Sequence, residues 1–145
     1  MEILVDILKR YNWPVQSGQA DKLIKDIESM VGFSPPTDYI LFLNNYTGYE
    51  SHIGVEFIKL WGIDEVIEMN TSYGITNLSN TLGIGSDGGS EFIAIEITDL
   101  QEYRVVLSPF IDLDKSYNVE VGTSFTDFLV RLDNGKQWIE SKPLS

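Results

Sequence analysis

The stretch Leu82-Gly83-Ile84-Gly85-Ser86-Asp87-Gly88-Gly89-Ser90-Glu91, running on into Phe92-Ile93-Ala94-Ile95, decides how this chain folds. By spacing, Gly83, Gly85 and Gly88 satisfy the G-x-G-x-x-G pattern of dinucleotide-binding turns. That pattern works only between a strand and a helix, because the amino end of the helix holds the pyrophosphate. Here the glycines lead into Phe92–Ile97, a β-branched run that favours a strand. Asp87 would also set a negative charge against the phosphates. The remaining reading is a β-hairpin with an acidic tip, its glycines serving a tight turn, and no cofactor is expected.

Working outward toward the amino terminus, the chain is helical in pattern. Leu4, Ile7, Leu8 and Tyr11 form one apolar stripe, ended by Asn12-Trp13-Pro14. After the Gln16-Ser17-Gly18 loop, Ala20, Leu23, Ile24, Ile27 and Val31 share one face of a second helix, which Gly32 is suited to close. A third follows, with Ser34 as cap, Pro35 at the first helical position, the stripe Tyr39/Phe42/Leu43/Tyr46, and Gly48 as its end. Tyr49-Glu50-Ser51-His52 reads as a polar loop.

The period then shortens. Val55–Trp61 reads as a strand, with Trp61 a core anchor at its end. Ile63, Val66, Ile67, Asn70 and Tyr73 return to helical spacing, and Asp64 and Glu65 occupy the first turn, where the helix dipole favours acids. Beyond the Asn77–Asn80 loop, Thr81–Gly85 and Phe92–Ile97 make the hairpin. Tyr103–Leu107 is a further strand and Tyr117–Val121 a weaker one. Ser124 opens the last helix, with Asp127 at capping-box distance, Phe125, Phe128, Leu129 and Leu132 buried, and Gly135 past its end. The tail 136–145 is polar apart from Trp138 and Ile139 and is expected to fray. Helices first, a meander of strands next and a helix last make a single α+β domain over 1–145 with a mainly antiparallel sheet.

Composition narrows the function. At 145 residues the chain can bury a core without staples. With no cysteine it has no disulfide, thiolate metal site or cysteine nucleophile. No run approaches the roughly 20 apolar residues that span a bilayer. The acids at Glu2 and Asp6 do not suit a signal peptide, so a cytoplasmic protein is expected, with no membrane partner. His52, the one histidine, lacks the companions of a catalytic or metal-binding histidine. Asp87 and Glu91 supply too few ligands for a calcium loop. A carboxylate cleft near Glu91 and Glu96, of the kind a small hydrolase or ligand-binding domain would use, is the one enzymatic alternative.

A net charge of −12 argues against nucleic acid as a direct partner. Its distribution is more informative. No Lys or Arg occurs from Leu60 to Tyr103, whereas Asp64, Glu65, Glu68, Asp87, Glu91, Glu96, Asp99 and Glu102 all do. Such a stretch serves solubility or forms an acidic face that steers a basic partner.

The order of these segments resembles the SMI1/KNR4 family, or SUKH superfamily, from about Ala20 to Leu132. Four blocks carry the likeness. They are Ile27-Glu28 through Val31-Gly32 to Pro36-Thr37-Asp38-Tyr39, Phe42-Leu43 and Thr47-Gly48; Leu60-Trp61 with the helix to Asn70 and Tyr73; Ile84–Ala94; and Ser124–Leu129. Phe33-Ser34-Pro35, Tyr46–Tyr49 and Ile95-Glu96 depart from the family's usual residues. The resemblance implies a curved antiparallel sheet with packed helices and no enzymatic activity. It also implies a protein partner, for bacterial members typically a toxin, often a nuclease, that the protein neutralises. Fungal members are described as regulators of cell-wall synthesis, which leaves a regulatory scaffold as a rival reading. With the charge pattern, it makes Asp64, Glu65, Glu68, Asp87 and Glu91 the candidate partner-binding residues, facing a basic toxin domain, with no metal or catalytic residue.

Overall fold

In a computed structural model, residues 1–17 and 20–137 are described. The expectation about the tail falls, beyond Gln137, outside them. Helix α1 (Glu2–Arg10) buries Leu4, Ile7 and Leu8, and α2 (Asp21–Val31) buries Ile24 and Ile27. Gly32 closes α2 in the left-handed conformation at φ 81°, as its type allows. Helix α3 (Thr37–Asn45) is shorter than its stripe suggests at both ends. Pro35 precedes Pro36, and a residue before proline is pushed out of the helical region, so the helix starts only after Pro36. Ser34 caps nothing; its hydroxyl donates to Glu28 Oε2 at 2.6 Å. At the other end Tyr46 turns extended and bridges Val15, which ends the helix well before Gly48.

Six strands follow, β1 (Tyr49–Ile53), β2 (Glu56–Leu60), β3 (Thr81–Ser86), β4 (Glu91–Ile97), β5 (Tyr103–Pro109) and β6 (Val119–Gly122). They form one curled antiparallel sheet in chain order. Strand β1 corrects the reading of Tyr49–His52 as a loop: it pairs with β2 from Tyr49↔Leu60 to Ile53↔Glu56. Edge strands tolerate polar residues because one side of their ladder faces water, so composition hides them. The weak strand expected from Tyr117 begins at Val119, since Lys115–Tyr117 forms a 3-10 turn whose Ser116 N–H donates to Asp114 at 2.9 Å.

Helices cover both faces of the sheet. Along β4, Phe92, Ala94 and Glu96 face one side and Ile93 and Ile95 the other. Gly83 lies opposite Ala94, and a side chain there would run into Asn70 and Trp61. Helix α4 (Ile63–Ser72) therefore sits on the Ala94 side. Gly122, paired with Val105, lies against Phe128 of α5 (Phe125–Asp133), which sits on the Ile95 side. Ser124 caps α5 by accepting from Asp127 N–H at 2.9 Å, as expected. Asp38 ties α3 to α5, its Oδ2 accepting from the Thr126 N–H and hydroxyl, each at 2.8 Å. Between these helices Tyr39, Phe42 and Phe125 pack with ring centroids 5.2 and 5.4 Å apart. Trp61 is buried, an anchor as its position suggests.

Candidate functional site

The glycine run divides into two parts. Gly83 and Gly85 lie inside β3, flanking a bulge in its pairing with β4, and only Gly88 and Gly89 belong to the turn. The expectation that the glycines serve a tight turn thus holds for Gly88, at φ 83°, but not for Gly83 or Gly85. Those two are glycines because neighbouring groups leave no room for a side chain. The turn leads into strand β4, not into a helix, so the dinucleotide geometry is absent. Asp87 shapes the turn itself: its Oδ1 accepts from Gly89 N–H at 2.9 Å and Glu91 N–H at 3.2 Å.

Glu91 stands at the start of β4, half-buried. Desolvation first, and the Asp87 carboxylate second, raise its pKa above the ordinary carboxylate value. A raised carboxylate holds its proton more strongly folded than unfolded. Its favourable contribution is complete below the unfolded pKa and is lost as pH rises through the folded one. Glu91→Gln is therefore expected to raise the thermal midpoint at pH 7 and leave it unchanged near pH 3, as measured by calorimetry. An equal shift at both pH values would refute this origin.

Asp64, Glu65 and Glu68 lie together on α4. Asp64 and Glu68 are exposed and one turn apart. Glu65 is half-buried and accepts from the Gly62 N–H at 3.2 Å, holding the amino end of the helix. Asp64 and Glu65 line a cleft of about 380 Å³ with Gln16, Thr47, Gly48 and Ile63. Its floor is a glycine contact: a side chain on Gly48 would meet Gly62 N at 2.7 Å and crowd the Glu65 carboxylate. Gln16 fixes the other wall, its Nε2 donating to the carbonyls of Leu43 at 2.7 Å and Tyr46 at 3.2 Å.

The five candidate residues do not converge. Glu91 shares the Ile93 side of the sheet, while α4 covers the opposite side. Asp99 and Glu102 border the β4–β5 turn, at the far end of β4 from Asp87. The acidic stretch is therefore distributed over separate surfaces, with α4 carrying its densest group.

Glu96 leaves the acidic surface altogether. It is buried, with Arg104 Nε at 2.6 Å from Oε1 and Lys115 Nζ at 2.9 Å from Oε2. The Glu96↔Arg104 register follows from the short β4–β5 turn, so that pairing was readable from spacing. Lys115 arrives from the 3-10 turn, and no local pattern announces it. An open hollow of about 370 Å³ beside these groups includes Thr98, Asp99 and Leu100. Glu91 and Glu96, five residues apart in an unbroken strand, point to opposite faces roughly 17 Å apart. Glycosidase carboxylates work at about 5–9.5 Å, so this pair does not make that cleft. His52 is exposed on β1 with its ring edge-on to Phe57 at 5.3 Å.

A helix-flanked antiparallel meander, with a glycine bulge locked under the α4 helix and a capped closing helix, defines a SUKH-type α+β domain. The model of the SMI1/KNR4 family (SUKH-1) matches residues 19–131, and the chain belongs to that family. Among curated proteins it is similar to YnaB of Bacillus subtilis (strain 168), itself uncharacterized, with 28% identity over 116 residues covering 79% of this chain and 78% of that one. Among the described residues no helix is long and apolar enough to cross a membrane.

Proposed function

We propose that this chain is a non-enzymatic, cytoplasmic protein-binding module of the immunity type, which neutralises a basic toxin domain through the acidic surface of α4. The observation that supports this reading is the pair Asp64 and Glu68. Both are exposed, and neither forms an ion pair among the described residues. The helix dipole favours Asp64 in the first turn, but Glu68 lies beyond it. Like charges at i,i+4 cost a helix about 0.2–0.5 kcal/mol, a repulsion that an external cationic partner would relieve. Carboxylates on such a face attract the lysines and arginines of a nucleic-acid-cleaving site, and the bound domain would then block it sterically. Asp87 and Glu91 belong to a separate surface and contribute to long-range steering.

The partner to test is the product of any toxin reading frame found next to this gene. Purified together at low salt, the two proteins are expected to associate with a rate that falls steeply with ionic strength. Asp64→Lys with Glu68→Lys should slow association about tenfold or more at low salt, with the difference shrinking at high salt. No binding at low salt would overturn the reading; an unchanged association rate would remove α4 from the interface.

A further inference from the structure

The carboxyl end of α4 carries a feature that charge alone does not explain. Spacing places Tyr73 on the apolar stripe of the helix, yet it is 49% exposed. Its ring lies nearly parallel to buried Trp61, with centroids 6.4 Å apart, and 4.5 Å from Phe110. Phe110 in turn packs on buried Phe92 at 5.3 Å, and its N–H donates to the Ser90 carbonyl at 2.9 Å. Ile111, next along, is 74% exposed. A rigid aromatic ladder thus runs from the core to the surface and ends in exposed apolar area. Preorganised aromatic groups of this kind bind at low entropic cost and make up many interface hot spots.

The surroundings specify what would cover it. Asp112 follows Ile111 and is exposed. The last turn of α4 holds no basic residue, so the negative end of its dipole is uncompensated here. Lys115, the one cation between Phe110 and Asn118, is engaged by Glu96 and the Ser79 carbonyl. Aromatic area beside an exposed carboxylate and the negative end of a helix suits arginine, whose flat guanidinium packs on rings while meeting carboxylates.

We propose that Tyr73, Phe110 and Ile111 anchor the partner interface and that the partner covers them with arginine side chains of a basic protein surface. This rests on the proposed function for the identity of the partner, but it can be tested without it. Hexa-arginine and hexa-lysine carry equal side-chain charge and differ in their affinity for aromatic surfaces. Titrated into the protein and followed by amide chemical shifts, hexa-arginine is expected to bind about two- to fivefold more tightly. Its shifts should include Tyr73, Ile111 and Asp112. Tyr73→Ala, and independently Tyr73→Leu, which keeps apolar area without a ring, should remove the preference for arginine, and Ile111→Ser, at an exposed position, should weaken hexa-arginine binding. Asp112→Asn should weaken both peptides alike. Equal affinities, shifts that miss Tyr73 and Ile111, or no binding of hexa-arginine would overturn the anchor. The charge-reversal experiment with the toxin would still decide the broader reading.

Discussion

Gly85→Ala is expected to destabilise this protein by roughly 3 kcal/mol or more, the upper range for forcing extra atoms into a packed interior. A Cβ at Gly85 would overlap the Lys59 carbonyl oxygen and come within 3.1 Å of Leu60 Cα. Both obstacles are backbone of the neighbouring strand, which cannot rotate aside as a side chain can. Strands β2 and β3 pair at Lys59↔Ser86 and Leu60↔Gly85, with Trp61 N–H donating to the Ile84 carbonyl at 2.9 Å just beyond, so moving β2 away loosens the β1–β2 hairpin from the rest of the sheet. The thermal midpoint should fall by about 6–12 °C, if the variant folds at all. Gly89→Ala, four residues on, is the control. Its nearest neighbour is Asp87 Oδ1 at 3.6 Å and its φ is ordinary, so the midpoint should barely move. Comparable losses for both variants would show that the run is needed for its turn and not for the β2–β3 approach.

Asn70→Leu should cost about as much for a different reason. Asn70 is fully buried between α4 and β3, beside the bulge at which Ile84 is the extra residue between Gly83 and Gly85. Its Oδ1 accepts from Gly83 N–H at 2.7 Å, and its Nδ2 donates to the carbonyls of Gly83 at 2.9 Å and Val66 at 2.7 Å. Leucine has the same number of side-chain heavy atoms with the same branching and is somewhat bulkier, so the substitution removes hydrogen bonds without opening a cavity. Two backbone groups of Gly83 would then lose their Asn70 partners in the interior, at a cost of about 1–3 kcal/mol for each one left unsatisfied. Urea denaturation should show a lower midpoint with an unchanged slope. A loss below about 1 kcal/mol would mean that Gly83 finds other partners.

Asn70 also shows where sequence reading stops. Its place in the Ile63/Val66/Ile67 spacing identifies it as inward-facing, but the partner it satisfies lies in another element. The same division runs through the candidate site. Asp64, Glu65 and Glu68 are recognisable as one helical group because an i,i+4 relation is local. That Asp87 and Glu91 lie apart from them depends on strand register and on which face of the sheet α4 covers. Glu96 counted as part of the acidic stretch until the fold brought Lys115 to it. Tyr73 fits the apolar stripe, and only the packing of Trp61 and Phe110 beneath it leaves half of it in water. Strand β1 leaves no apolar signature because pairing at an edge needs backbone, not apolar side chains.

Apart from the edge strand β1, the helices and strands and their order are legible in the sequence. Phe92–Ile97 could only be a strand, Ser124 a cap and Gly32 a terminator, and these identities excluded a nucleotide site and set the α+β class. Each rests on a residue's own backbone preferences or on neighbours within one turn. The tertiary structure alone decided why Gly83 and Gly85 are glycine, which acids share a surface, and where aromatic area reaches solvent. Those properties are set by contacts between residues distant in the chain, and their physical causes are steric exclusion and the pairing of buried polar groups.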